Sequence, residues 1–153
     1  MKKGFLLFII SVTAFASIAH EFWLQPQRFH YQPGETAVIS IRVGENFHGE
    51  PWGNNGSLVA ASKHIQPSGN IADLLKAYSD KQGDSISVTL NEAGTHLITL
   101  QTKNKFIQLK PTEFAAYLKE DGLQLASDYR AKNKELDKDG KEFYQRSVKT
   151  IVQ

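Results

Sequence analysis

The chain contains no cysteine. That absence removes disulfides, thiolate metal sites and cysteine nucleophiles together, so an apolar core has to hold the fold. Long hydrophobic runs are missing too. Beyond Ala19 no apolar stretch approaches the roughly 20 residues of a membrane-spanning helix. There is no His-Glu-x-x-His, no Gly-x-Ser-x-Gly and no glycine loop shaped for phosphate, which leaves the common catalytic signatures unrepresented. Charge of one sign is also lacking. Setting aside Lys2 and Lys3 leaves 16 of the 18 basic residues to face 16 acidic ones, and a chain so balanced lacks the basic footprint of a nucleic-acid binder.

What is present begins with a leader. Lys2 and Lys3 precede an apolar run from Phe5 to Ile10 that continues to Ala16, and Ser17-Ile18-Ala19 places small residues where signal peptidase reads them. The pattern predicts a signal peptide over 1–19, export to the periplasm, and a soluble product without a membrane span. Removal of Met1 to Ala19 from 153 residues leaves 134, enough for one domain over 20–153. That product would begin at His20.

The first part of the exported chain reads as β-structure. From Thr36 to Val43 apolar and polar residues alternate between Pro33-Gly34 and Gly44, the mark of a half-buried strand. Ser85–Leu90 and Thr95–Thr102 alternate likewise around a Gly-containing connection, predicting a β-hairpin. Weaker patterns put strands over Ser57–Ile65 and Phe106–Leu109. After Pro111 the spacing becomes helical, with Thr112 as a cap for a helix through Lys119 and a second helix over Leu123–Leu136. Phe143–Val152 resembles a strand with no stop signal after it, so the chain either ends on a strand or is part of something longer. Gly44–Gly56 reads as a long irregular loop, a kind of segment that is often functional.

The histidines carry the most chemistry. An amino-terminal histidine can close one chelate ring through its α-amine and Nδ1, and protons compete only modestly for that amine near neutrality. Such nitrogens suit nickel, cobalt, copper or zinc better than magnesium or calcium. His96 starts a strand on its apolar face, where a neutral ring is expected, either hydrogen-bonded or metal-bound. His48 lies in the irregular segment between Glu45 and Glu50, which could add an oxygen ligand. His30 and His64 read as ordinary surface residues, and Trp23 and Trp52 as core fillers. The carboxylate pairs Glu120-Asp121 and Asp137-Asp139 read as solvated surface.

Five segments, taken in order, resemble one family. They are Ala19-His20-Glu21-Phe22-Trp23-Leu24, Val43-Gly44-Glu45-x-Phe47-x-Gly49, Ala93-Gly94-Thr95-His96-Leu97-Ile98, Phe114-x-x-Tyr117-Leu118-Lys119-Glu120-x-Gly122-Leu123, and Glu142-x-Tyr144-x-Arg146-x-x-Lys149. The family is an uncharacterised-domain group of bacterial periplasmic proteins associated with nickel or cobalt uptake, of which this chain resembles the N-terminal portion. The resemblance implies a mainly β, immunoglobulin-like sandwich with a helical insertion near the C-terminal end. It also implies a protein that binds nickel, with cobalt, copper or zinc as alternatives, and passes it to an inner-membrane uptake system without catalysing a reaction. The expected ligands are His20, His96 and His48. A copper redox enzyme with an amino-terminal histidine brace, and a metal-free sandwich that binds a partner or glycan, are the competing expectations.

Overall fold

Alternation of apolar and polar residues fixes most of the strands, and burial decides which face turns inward. The computed structural model describes residues 21–53, 56–79 and 84–153. Its elements run β1 (Glu21–Pro26), β2 (Thr36–Glu45), β3 (His48–Pro51), β4 (Val59–Ile65), β5 (Ile71–Asp73), α1 (Lys76–Ser79), β6 (Ser85–Thr89), β7 (His96–Thr102), β8 (Lys105–Leu109), α2 (Pro111–Glu120), α3 (Gln124–Lys132), β9 (Gly140–Tyr144) and β10 (Ser147–Val152). In one four-stranded antiparallel sheet β1 lies along one edge of β2, while β6 and β3 share the other edge, one at each end. A second four-stranded sheet has the order β10-β7-β4-β5. One apolar cluster draws on both: Leu24, Ala37, Ile39, Ile41, Ile86 and Val88 from the first, Val59, Ile98, Leu100 and Val152 from the second. β8 and β9 form a separate two-stranded sheet. The result is a β-rich core of antiparallel sheets with helices concentrated in the C-terminal half.

Several expectations change here. Ser85–Leu90 and Thr95–Thr102 do not form a hairpin: β6 pairs with β2 and β7 with β4 and β10. The Asn91–Thr95 connection, with Gly94 at φ 125°, carries the chain from one sheet to the other, so the apolar faces of both strands enter the shared core. Alternation reports which face is buried but is silent on the pairing partner. The segment Gly44–Gly56 is not irregular throughout, because β3 folds back on β2 within it. The helix after Pro111 is capped at Lys110 rather than Thr112. Proline occupies the first helical position, and the Glu113 carboxylate accepts the Lys110 backbone N–H at 3.2 Å. α3 stops at Lys132, short of Leu136, where Lys134 turns to φ 55° and the Arg130 guanidinium reaches the carbonyls of Glu135 and Lys138. Phe143–Val152 is divided between β9 and β10.

A smaller packing unit lies beside the main core. Phe114 and Leu118 are buried on α2, and a Cβ at position 140 would fall inside the Phe114 ring, which is why glycine stands there. Among the described residues no helix is long and apolar enough to cross a membrane.

Candidate functional site

The end of β2 makes a tight turn. Asn46 and Phe47 both have positive φ, at 51° and 59°, the signature of the two-residue type I′ turn that suits strand twist. Asparagine tolerates that region; a bulky phenylalanine there is an outlier. Across the turn Glu45 pairs with His48, Gly44 with Gly49 and Val43 with Glu50. The two glycines are dictated by contact, since a Cβ on either would strike the backbone of the opposite strand. Directly opposed residues share a face. Glu45, His48 and Glu50 therefore continue the core-side face of the sheet past the point where the core stops, and all three are exposed. Phe22 and Trp52, with ring centroids 5.0 Å apart, close the core at that end, and Arg146 sits over the Phe22 ring at 5.5 Å. The outer face of the same strands carries Trp23, Gln25 and Arg42.

A second constellation is internal. His64 and His96 are 4% and 1% exposed, and His64 Nε2 lies 2.8 Å from His96 Nδ1. His96 Nε2 lies 2.9 Å from the Glu92 carbonyl oxygen. A carbonyl can only accept, so Nε2 of His96 carries a proton; in the tautomer with no second proton, Nδ1 accepts and His64 Nε2–H donates. The pair is a directed chain from His64 through His96 to the backbone. The Glu92 side chain accepts from the Ser68 N–H at 2.9 Å and the Ser68 hydroxyl at 2.8 Å, joining the turns on either side. Burial, and next the neighbouring His96, hold His64 below the ordinary imidazole range, against an opposing pull from Glu92. The expectation that His64 is a surface residue fails because β4 turns Ser62 and His64 inward. The His96 ring is hydrogen-bonded at both nitrogens.

Two of the expected ligands, His48 and His96, stand at opposite ends of β2. β2 is ten residues long, about 30 Å at roughly 3.3 Å per residue. His48 stands at its Glu45 end. His96 stands at its Thr36 end, since its ring reaches Glu92, and Leu90 just before it bonds Glu35 and Gly34. His48 and His96 therefore cannot share a metal ion. His20 lies outside the described residues, but Glu21, its chain neighbour, pairs with Gly44 at the His48 end. Among the described residues no group of three or more histidines or carboxylates is arranged to hold a metal ion. Trp52 packs against the core as expected. Trp23 does not, lying instead on the outer face edge-to-face with Phe47.

A protein family described as a domain of unknown function, DUF4198, matches residues 17–153. The chain belongs to the DUF4198 family. No curated protein and no solved structure matches it. The two histidine-bearing ends of this DUF4198 domain differ in what they leave free: His96 has both ring nitrogens engaged within the protein, whereas His48 is exposed beside two carboxylates.

Proposed function

We propose that this DUF4198 protein is a periplasmic carrier that binds a transition-metal ion, nickel in preference to cobalt, copper or zinc, and hands it to an inner-membrane uptake system. The observation that carries the reading is the cross-strand row at the end of β2. Glu21 pairs with Gly44, and Gly44 with Gly49; one position further along, Glu45 pairs with His48. Glu45, His48 and Glu50 share one exposed face there, and Glu21, the residue that follows His20 in the chain, pairs at the same end. The α-amine and imidazole of His20, the imidazole of His48 and the carboxylate of Glu45, with Glu50 next along the face, make a nitrogen-rich set with oxygen support, a combination suited to these metals. His96 has no place in this shell. The same reading takes the two four-stranded sheets as the halves of an immunoglobulin-like sandwich, with signal-peptide removal after Ala19 creating the amine ligand. It assigns a carrier and not a catalyst.

The test is a nickel and copper titration of protein beginning at His20, repeated with one extra residue ahead of it. An amide in place of the amine should weaken nickel binding by roughly a hundredfold, about 2.7 kcal/mol. Unchanged affinity would sink the proposal. Hydrogen peroxide production by the copper-loaded protein would move the assignment to a redox enzyme.

A further inference from the structure

Arg42 is half-buried on the outer face of the first sheet, and the fold provides it with little. One N–H, on Nη1, donates to the Gly49 carbonyl at 3.0 Å, which leaves most of the five donors of a guanidinium unassigned. The ion pairs among the described residues are Arg28–Glu35, Lys110–Asp139 and Lys138–Glu135; none involves Arg42. Glu21, on the same face two residues from the Arg42 partner Trp23, is turned toward the Phe47 backbone N–H at 3.3 Å. A guanidinium drawn partly out of water with no ion pair to a carboxylate among the described residues is an unbalanced charge in a protein that has the acidic residues to balance it.

Its surroundings are built. Trp23, Gln25, Arg42, Phe47 and the His48–Gly49 segment line an open cleft of about 340 Å³, at the lower end of the range for small-molecule sites. Trp23 and Phe47 meet edge-to-face, centroids 5.7 Å apart and planes at 78°, forming a two-sided aromatic corner. The indole Nε1–H is engaged with Gln25 Oε1 at 3.3 Å, and the Gln25 amide nitrogen with the Pro26 carbonyl at 3.3 Å. Trp23 is thus held in place and offers its ring rather than its N–H. Phe47 occupies this corner at φ 59°, a conformation glycine would take without strain, and its ring forms one wall of the cleft.

A planar fork of donors beside two aromatic faces selects a ligand by charge and by shape. We propose that the cleft binds a small carboxylate with a flat apolar body. The carboxylate would take the free edge of Arg42 as a bidentate pair, and the body would lie in the Trp23–Phe47 corner. The proposal is independent of the metal reading. Because His48 borders both features, the test leaves His48 untouched.

Benzoate is the probe, titrated into metal-depleted protein beginning at His20, with the indole N–H signals followed by ¹H–¹⁵N NMR. The expected result is a saturable shift of the Trp23 signal, with acetate and benzyl alcohol each binding roughly tenfold more weakly because one lacks the body and the other the charge. Arg42→Gln should weaken benzoate by roughly tenfold or more. Arg42→Lys, which keeps the charge and loses the fork, should weaken it severalfold and serves if the glutamine variant fails to fold. The proposal is overturned by absence of saturation at about 20 mM, well above a millimolar Kd. Wild-type affinity in both arginine variants, or acetate binding as well as benzoate, would overturn it equally.

Discussion

The two ends of β2 carry histidines of opposite character. At the Thr36 end His64 and His96 are buried and hydrogen-bonded to each other and to a backbone carbonyl. At the Glu45 end His48 is exposed on a hairpin beside Glu45 and Glu50. A neutral imidazole with both nitrogens satisfied stabilises a fold, whereas an exposed imidazole with nearby carboxylates contributes little to stability and is free to bind. Residue type alone makes the two alike; register and burial separate them.

The sharpest way to break this comparison is to remove one histidine from each end. His96→Ala leaves the His64 N–H and the Glu92 carbonyl without their partner and opens a cavity, which should cost about 3 kcal/mol in urea unfolding. Metal affinity should stay within about twofold, since the site is about 30 Å away along β2. A His96→Ala protein as stable as the parent would remove the distinction between the two ends.

His48→Ala should do the reverse. Nickel affinity should fall by about tenfold, or 1.4 kcal/mol, while unfolding free energy stays within about 0.5 kcal/mol of the parent, as for other exposed substitutions. Equal loss of stability and affinity would mean that the hairpin is a structural element first. Isothermal titration and chemical denaturation of the same preparation give both numbers.

Acid should act on the buried end. Because the fold holds His64 below the ordinary imidazole range, the unfolded chain takes up that proton first as pH falls. Stability from this residue is therefore complete above about pH 6.5, is lost progressively below it, and levels off once the folded His64 itself titrates. The slope cannot exceed about 1.4 kcal/mol per pH unit for one proton. Burial sets the shift first and His96 adds to it, while the Glu92 carboxylate opposes both by raising the His64 pKa. His64→Gln should flatten the dependence of urea midpoint on pH between about 5 and 6.5. An unchanged slope would place the acid sensitivity elsewhere.

Much of this was open to sequence reasoning, within a definite limit. Thr36–Val43 and Thr95–Thr102 announce themselves by alternation, and both are strands facing the core. The Pro111 helix is signalled by its proline and by Glu113. Alternation could not say that Ser85–Thr89 pairs with Thr36–Ser40 rather than with its neighbour in sequence, and that pairing separates His48 from His96. His64 was hidden for a related reason: β4 has a register shift between Val59 and Ala61, which blurs a period that otherwise turns Ser62 and His64 to the core. The hairpin at Asn46-Phe47 was obscured because sequence rules look for glycine after asparagine, and here the second residue is phenylalanine.

That phenylalanine supplies the smallest effect and the finest test of the contrast. Phe47 is 75% exposed, so replacing it removes little buried surface, while Phe47→Gly relieves a left-handed φ that costs a bulky residue about 1 kcal/mol. Glycine also loosens the unfolded chain, which offsets part of the gain. The net expectation is a stabilisation of a few tenths of a kcal/mol, read as a small rise in Tm, together with loss of the aromatic corner beside Trp23. A comparable gain is not available at His64, His96 or Glu92, none of which has a positive φ. If Phe47→Gly instead destabilises by more than about 1 kcal/mol, the ring is packing the hairpin and the strain argument fails. If it stabilises while benzoate binding disappears, the exposed end is holding strain for the sake of its ligand.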